Sequence, residues 1–381
     1  MSGLRGVGHD VTGALFLCGP LAWAPILEIV AGQAGALDAQ AAELPGYALK
    51  TDDRTCFPAL VAREGHSTAG LLVRDVSPEV LARLRFLAGG LGAEEAGAET
   101  AEGAGAICFV TPHAPEAARD WTFGDWHPRW GGIAQAACAE AMGYFGRKTP
   151  AELAWRMPMI LSRAGARMAA ARGVPADLRS ATGADKVEVD HVETPHEGFF
   201  LTRDYALRHP QFGGGQSDLL RREVFVVSDA AIVLPYDPRT DRVLLVEQFR
   251  MGPFGRGDPR PWALEPVAGR VDAGETPEDT ARRECAEEAR LDLHRLERIS
   301  SHYCSPGCST EYFHLFLGLC DLPEEKRGMG GLDSEAEDIR THVIPYARAM
   351  DLLRSGEADN GPLIMCLMWL SMERDRLRGI A

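Results

Sequence analysis

The chain has 381 residues, of which 45% are hydrophobic and 25% are charged, as in an ordinary globular protein long enough for two domains. Its formal net charge of −15 argues against a nucleic-acid surface, but not against a phosphorylated small molecule held by a few arginines and a metal ion. The most apolar stretch, 13–30, is broken by glycine and proline and lacks a basic leader, so we expect neither a membrane span nor a signal peptide. The nine cysteines form no paired framework, which favours reduced thiols and a cytoplasmic location.

Three segments of the first half are informative by composition or spacing. The stretch 89–105 is rich in Gly, Ala and Glu and predicts a flexible surface insertion. Apolar residues at helical spacing predict a helix at 150–172. The polar stretch that follows, 172–186, contains Gly, Pro and Ser and predicts a domain boundary.

The second half contains segments with the residue pattern of strands and segments with helical periodicity. Strands are predicted at 186–193, 223–227, 230–234 and 243–247, and around a turn within 302–319. Helices are predicted near the end, at 347–354 and 363–378. The sequence therefore predicts a second domain that mixes strands and helices.

Between these groups lies a helix whose carboxylates share one face. Thr276, followed by a proline and by Asp279 three residues later, predicts the start of this helix. Glu284, Glu287 and Glu288 are spaced i, i+3 and i+4, so they lie together and repel one another. A hard divalent cation such as Mg²⁺ would relieve that repulsion. If only the three glutamates are considered, the alternative interpretation is an acidic helix face exposed to solvent.

The segment around this helix resembles the Nudix box, G-x5-E-x7-R-E-U-x-E-E-x-G-U, in which U is a bulky apolar residue. The chain matches the pattern at Gly269, Glu275, Arg283, Glu284, Cys285, Glu287, Glu288 and Leu291. It departs from the pattern at Arg290, where the box has the glycine that normally ends the helix. The resemblance implies a Nudix fold, an α-β-α arrangement with a mixed sheet sandwiched by helices.

Further pieces resemble the ADP-ribose pyrophosphatase branch of this family. They lie at 198–200, 221–223, 246–250, 261–262 with Glu265, 305–307 with Glu311, and 331–340. The Ser-Pro-Gly at 305–307 is the feature associated with a preference for ADP-ribose. GDP-mannose pyrophosphatases share much of the pattern, so the resemblance is stronger for the reaction than for the substrate.

The resemblance also implies a role for each matched residue. Mg²⁺, for which Mn²⁺ can substitute, would be bound by the backbone carbonyl of Ala268 and by the carboxylates of Glu284, Glu287 and Glu288. Arg283 would orient those carboxylates.

The remaining implied roles concern water and substrate. Glu335, in an acidic loop, would activate water, with Glu337 as the alternative. The implied substrate-side residues are Arg222, Glu223, Arg250 and Glu311, together with Phe199, which would stack on the adenine.

Residues 12–146 resemble a gamma-glutamylcyclotransferase-like domain more weakly. The matching pieces lie at 18–21, 44–47, 58–60, 70–72 and 76–78. Cys18-Gly19-Pro20-Leu21 replaces the family's Tyr-Gly-Thr/Ser-Leu, and Ala88 stands at the place of its catalytic glutamate. The resemblance therefore implies a non-catalytic β-barrel domain for binding or assembly.

The predicted architecture is an α+β chain with a cyclotransferase-like β-barrel domain and trailing helix at 1–185 and an α-β-α Nudix domain at 186–381. The predicted function is Mg²⁺-dependent hydrolysis of ADP-ribose to AMP and ribose 5-phosphate. Hydrolysis of another nucleoside diphosphate sugar such as GDP-mannose, and a non-catalytic nucleotide-sugar sensor, remain alternatives. An active cyclotransferase in the first half is a further alternative, against which Ala88 argues. The resemblance implies a homodimer that exchanges the N-terminal part of the Nudix domain, and we expect neither nucleic-acid nor membrane partners.

Overall fold

The computed structural model describes residues 14–32, 37–52, 54–112, 118–322, 328–330 and 338–379. Two units can be distinguished, one formed by 1–175 with 272–274 and the other by 176–271 with 275–381. The separation at 175/176 lies within the polar stretch 172–186. None of the helices in the described ranges is both long and apolar enough to cross a bilayer.

The first unit contains one six-stranded sheet, in the order β4-β5-β1-β3-β2-β6. Its strands are β1 (Leu15–Cys18), β2 (Asp38–Thr51), β3 (Ala59–Arg74), β4 (Glu94–Glu99), β5 (Gly105–Val110) and β6 (Arg119–Asp120). The long β2–β3 pair is antiparallel, and β1 runs parallel to β5. The β-barrel implied by the cyclotransferase resemblance stays a prediction.

Four helices accompany this sheet: α1 (Ala24–Ala31), α2 (Pro78–Gly90), α3 (Phe123–Met142) and α4 (Pro150–Ala170). Ile26, Leu84 and Ile160, from three of these helices, are buried in one core with Leu17 of β1. The helix predicted at 150–172 is confirmed as α4. Thr149 caps its first turn, because its hydroxyl accepts from the Glu152 N–H while the Glu152 carboxylate accepts from the Thr149 N–H.

The prediction of a flexible insertion at 89–105 was wrong. This stretch contains β4, which pairs antiparallel with β5 along its whole length. Ala96 and Ala98 pack partly buried against the core, while Glu94, Glu95 and Glu99 are exposed. The partly buried alanines therefore alternate with the exposed Glu95, Gly97 and Glu99 at the period of a strand, a signal that the Gly- and Ala-rich composition hides.

The second unit contains two sheets. Its strands are β7 (Glu188–Glu197), β8 (Leu201–Arg208), β9 (Leu220–Val226), β10 (Ala230–Asp237), β11 (Arg242–Phe249), β12 (Trp262–Glu265), β13 (Val267–Arg270), β14 (Arg295–Tyr303), β15 (Tyr312–Leu319), β16 (Gly328–Gly330) and β17 (Ile339–Pro345). Strands β7, β8 and β9 form a three-stranded antiparallel sheet. The other eight form a mixed sheet in the order β14-β15-β10-β11-β17-β16, with β12 paired to β11 and β13 to β10.

Helices cover both faces of the mixed sheet. The helices of this unit are α5 (Met251–Arg256), α6 (Pro277–Ala289), α7 (Tyr346–Ser355) and α8 (Gly361–Gly379). Leu352 of α7 and Leu367 of α8 share a core with Leu234 on one face. Cys285 of α6 shares a second core with Val233 on the opposite face. Adjacent residues of β10 thus point to opposite cores, which gives the predicted mixed sheet sandwiched by helices.

Most elements predicted in the second half are confirmed, with shifted ends. The four predicted strand runs correspond to β7, β9, β10 and β11, and the two helices to α7 and α8. The stretch 302–319 contains the end of β14, a turn and β15. Strands β12 and β13 were not predicted, because four residues carry too little periodicity to be recognised.

The C-terminus of α6 adopts an unusual backbone conformation. Arg290 follows the last helical residue with φ 51° and ψ 46°, in the left-handed region. Its N–H donates to the Ala286 carbonyl, and the N–H of Leu291 donates to the Cys285 carbonyl, so the turn is closed by backbone bonds. The structure therefore retains at Arg290 the turn for which the box uses glycine.

We predict that Arg290→Gly is more stable to unfolding than Arg290→Ala by about 1 kcal/mol. Both substitutions remove the arginine side chain, so their difference reports the cost of the left-handed conformation for a residue with a Cβ. The measurement is urea unfolding of the two full-length variants. Equal stabilities would contradict a left-handed residue at this position.

Candidate active site

Strand β13 and helix α6 lie close together at Gly269. A Cβ built on Gly269 would lie 1.8 Å from Oε1 of Glu284, so the carboxylate occupies the space of a side chain at this position. Glu288 is only 3% exposed, and its Oε2 accepts from the N–H of Ala268 at 3.4 Å. Glycine is thus required here by contact, and two of the three predicted metal-binding glutamates lie against β13.

Arg283 joins the carboxylates of the loop and the helix. Its Nε and Nη2 donate to the two oxygens of Glu275 at 2.9 and 3.0 Å. Its Nη1 donates to Glu284 at 2.6 Å and to Glu287 at 3.1 Å. Burial lowers the pKa of the guanidinium, but the hydrogen bond to Glu275 and the charges of Glu284 and Glu275 outweigh it, so the pKa is raised. This geometry is the one expected of a residue that orients the glutamates.

The start of α6 is fixed by a capping box. The Thr276 hydroxyl accepts from the Asp279 N–H at 3.1 Å, and the Asp279 carboxylate accepts from the Thr276 N–H at 3.2 Å. The Glu275 carboxylate also accepts from the hydroxyl of Thr280 at 2.7 Å. The predicted helix start is confirmed, and the capping box and the Glu275 bonds hold the loop that precedes α6.

The chemistry of the donor set suits a hard cation. Formally, four carboxylates (−4) and one guanidinium (+1) leave a charge of −3 on Glu275, Arg283, Glu284, Glu287 and Glu288. Within the described part of the chain, no three acidic, His or Cys side chains converge on one metal position. The excess negative charge and the all-oxygen donors nevertheless fit Mg²⁺, so the predicted ligand set is retained as a prediction.

Arg250, a predicted substrate-side residue, lies in a second pair at the edge of the mixed sheet. Its Nε donates to Oε2 of Glu265 at 2.6 Å, across the β11–β12 pairing. Burial raises the pKa of the Glu265 carboxyl, and the charge and hydrogen bond of Arg250 partly oppose that rise. The pair fixes the direction of the guanidinium.

Phe199, the predicted adenine-stacking residue, lies in the turn between β7 and β8. Its ring centroid is 4.9 Å from that of Phe200, which is 4.9 Å from that of Phe225 on β9. Phe199 remains 48% exposed. An accessible aromatic group therefore exists at this end of the three-stranded sheet.

The Ser-Pro-Gly turn docks onto the same strand. The N–H of Phe225 donates to the Cys308 carbonyl at 2.8 Å, and the N–H of Thr310 donates to the Phe225 carbonyl at 3.0 Å. At the end of the turn, the Glu311 carboxylate accepts from Sγ of Cys304 at 3.1 Å. Burial and the contact with Glu311 raise the pKa of the Cys304 thiol to about 11. The structure thus brings Phe199 and the Ser-Pro-Gly turn to one end of β9.

Arg222 and Glu223 lie further along β9, opposite Tyr205 and Asp204 of β8. Both are exposed, and consecutive strand residues point to opposite faces, so these two side chains do not share a face. Glu335 and Glu337, the predicted water-activating residues, lie outside the described residues.

A partly buried polar network was not predicted from the sequence. His314 lies 2.9 Å from the hydroxyl of Ser301 through Nδ1 and 3.1 Å from Oδ2 of Asp229 through Nε2. The Asp229 carbonyl accepts from the Val271 N–H at 2.9 Å, just beyond the end of β13. Only the pairing of β14, β15 and β10 brings these residues together, so no local sequence signal identifies them.

Comparison with known proteins agrees with this geometry. Residues 227–365 match the family model described as NUDIX domain. The chain is 38% identical over 204 residues to the ADP-ribose pyrophosphatase of Escherichia coli (strain K12), an alignment that covers 54% of this chain and 97% of that protein. It is 39% identical over 194 residues to the ADP-ribose pyrophosphatase of Haemophilus influenzae, covering 50% and 89%. The GDP-mannose pyrophosphatase of Salmonella arizonae is 34% identical over 152 residues, covering 40% and 78%.

The chain belongs to the Nudix family, in its ADP-ribose pyrophosphatase group. The predicted Nudix resemblance is therefore confirmed. The cyclotransferase resemblance of the first half stays a prediction.

We predict that Gly269→Ala weakens Mg²⁺ binding and lowers kcat/KM by about 10- to 100-fold, because the added Cβ displaces the Glu284 carboxylate. The matched control is Gly361→Ala, where a Cβ meets nothing within 4 Å. Calorimetric titration with Mg²⁺ and a thermal unfolding scan measure metal affinity and folding separately. A folded Gly269→Ala variant with unchanged metal affinity would contradict the close approach.

Proposed function

We propose that the chain hydrolyses the pyrophosphate of ADP-ribose to AMP and ribose 5-phosphate in a Mg²⁺-dependent reaction. The observation that carries the proposal is the packing of the Glu284 and Glu288 carboxylates against strand β13, which contains Gly269. Arg283 also donates hydrogen bonds to Glu275, Glu284 and Glu287. The 38% identity to ADP-ribose pyrophosphatases over nearly their whole length supports the choice of substrate.

The box residues hold and orient the metal. The carboxylates of Glu284, Glu287 and Glu288 and the carbonyl of Ala268 would bind Mg²⁺, for which Mn²⁺ can substitute. Such an ion would supply charge neutralisation for the phosphate oxygens. Arg283 keeps the glutamates directed toward one side of α6, because its guanidinium is anchored by Glu275 in the preceding loop.

The reaction itself is attack of water on one phosphorus of the pyrophosphate. Glu335, with Glu337 as the alternative, takes the proton from that water. The bond between this phosphorus and the bridging oxygen breaks, so that each product carries one phosphate monoester.

In this proposal, the substrate is recognised by residues of β9, by Arg250 directly after β11, and by the turns that carry Phe199 and Glu311. Arg222 and Arg250 suit the phosphates, and Phe199 suits the adenine, because its ring is accessible and packs on Phe200. Glu223 and Glu311 complete the proposed substrate side as its acidic members.

The same proposal covers the organisation of the chain. A Nudix domain at 186–381 carries the site, and a non-catalytic domain at 1–185 precedes it. A homodimer is proposed from the family resemblance, and the three-stranded sheet offers exposed apolar residues for it, among them Val189, Val192 and Phe199. No disulfide joins any of the nine cysteines, which all lie within the described residues, in keeping with the proposed cytoplasmic location.

The function is tested by product analysis. With Mg²⁺, we expect AMP and ribose 5-phosphate from ADP-ribose with a higher kcat/KM than GMP from GDP-mannose, because the ADP-ribose pyrophosphatases are the more similar relatives. Excess EDTA should abolish turnover, and added Mg²⁺ or Mn²⁺ should restore it. Undiminished turnover in EDTA refutes the metal site, and binding of ADP-ribose without cleavage supports a sensor.

We predict that Glu335→Gln and Glu288→Gln fail in different ways. Glu335→Gln should lower kcat by about 10²–10⁴-fold with unchanged Mg²⁺ dependence, since glutamine cannot accept the proton. Glu288→Gln should weaken Mg²⁺ binding, and raised Mg²⁺ should partly restore its rate. The measurement is kcat across a Mg²⁺ titration, with Glu278→Gln on the exposed side of α6 as the control.

Two outcomes would revise these assignments. Near-normal kcat for Glu335→Gln would transfer the role to Glu337. An identical response of both variants to Mg²⁺ would place Glu335 among the metal ligands.

A further inference from the structure

The first unit contains a cavity of about 360 Å³ that the proposed hydrolysis does not use. Its walls come from β1, β2, β3, α2 and β5 and from the segments that connect them. Phe57, Phe109 and Thr111 line it and are partly exposed, so the cavity reaches the surface. Its volume lies at the lower end of the roughly 300–1,000 Å³ typical of small-molecule sites.

The described lining of the cavity carries no charged group. None of the sixteen lining residues that the structure describes is acidic, basic or histidine, and Cys18, Thr55 and Thr111 are the polar ones among them. Burial raises the pKa of the Cys18 thiol to about 12, so the thiol is neutral at physiological pH. The Thr55 hydroxyl is already hydrogen-bonded to Thr51 and to the Asp52 N–H. A charged ligand would therefore lose its hydration and gain no partner of opposite charge.

The walls are closely packed and already formed. Gly19 has φ 58°, and a Cβ there would lie 3.2 Å from Cγ of Pro58, so the turn after β1 is folded tightly against the segment before β3. Leu17 and Leu60 each belong to a buried core on one side of the cavity. An occupant would thus bind without the cost of ordering its site.

Water that enters this space from the surface finds few polar partners, and an ordered water requires them. Leu49, Phe57 and Phe109 offer none, and Ala88 contributes only a methyl group at its position. An apolar molecule would remove this surface from water and so gain free energy.

We propose that this cavity binds a compact, uncharged, largely apolar organic molecule, with the Cys18 thiol and the Thr111 hydroxyl as its polar contacts. The assignment gives the first unit a binding function independent of the hydrolytic site. It does not depend on the proposed substrate of the second unit.

The test uses two fluorophores with one ring skeleton. N-phenyl-1-naphthylamine is uncharged, and 1-anilinonaphthalene-8-sulfonate adds one negative charge. We expect saturable binding of the uncharged probe to the full chain, with one cavity-dependent site and an affinity at least about tenfold higher than for the sulfonate. γ-Glutamylalanine, which is charged, should not displace it.

Matched substitutions locate the binding. Ala93→Phe fills the cavity from a partly exposed position and should weaken the uncharged probe at least about tenfold, whereas Ala82→Phe, on the exposed face of α2, should not. Thr111→Lys, at the partly exposed rim, should reverse the preference toward the sulfonate. Thermal unfolding and sedimentation check that each variant keeps its fold and oligomeric state.

Three outcomes would overturn the proposal. They are the absence of saturable binding of the uncharged probe, equal binding of the two probes, and probe binding unaffected by a folded Ala93→Phe variant. A change in oligomeric state caused by Ala93→Phe would instead make the cavity an interface between copies of the chain, which also contradicts a small-molecule site.

Discussion

Arg283 and the carboxylates around it are the constraint on which the rest of the candidate site depends. One guanidinium contacts Glu275 in the loop and Glu284 and Glu287 on the helix, so it links two segments that would otherwise repel each other. Partly buried carboxylates are tolerated only when they are paired or bound by cations. The loop, the helix start and the direction of the glutamates therefore form one electrostatic unit.

Packing beneath α6 gives this unit its position. Ala281, Cys285 and Ala289 are buried, and their small side chains allow the helix to lie close to the mixed sheet. Gly269 then lets the Glu284 carboxylate approach the strand without a Cβ between them. The same short distances that place the carboxylates leave no room for larger residues on either element.

The helix and its acidic face could be predicted from the sequence because their information is local. Thr276, Asp279 and the spacing of Glu284, Glu287 and Glu288 define a helix start and a face within a single turn or two. The relative placement of distant segments is not encoded in this way.

The contacts that the sequence did not reveal are set by strand pairing. The network of Asp229, Ser301 and His314 forms only when three strands pair in the sheet. The contact between the Ser-Pro-Gly turn and Phe225 forms only when β9 lies beside the turn. Strand β4 was missed for a different reason, since its alternation is carried by alanines, which resemble a linker in composition. The roles of Glu335 and Glu337 still rest on the family pattern alone.

The backbone bonds between Phe225 and the turn at 305–310 have a mechanical consequence. The backbone of Phe225 is hydrogen-bonded to Cys308 and Thr310, and the backbone of Val227 is hydrogen-bonded to the Thr310 hydroxyl. The turn and the end of β9 are therefore held together as one unit. Arg222 lies on the same strand as Phe225. A substitution in the turn that breaks these bonds is therefore expected to displace β9, and with it the proposed phosphate contact of Arg222.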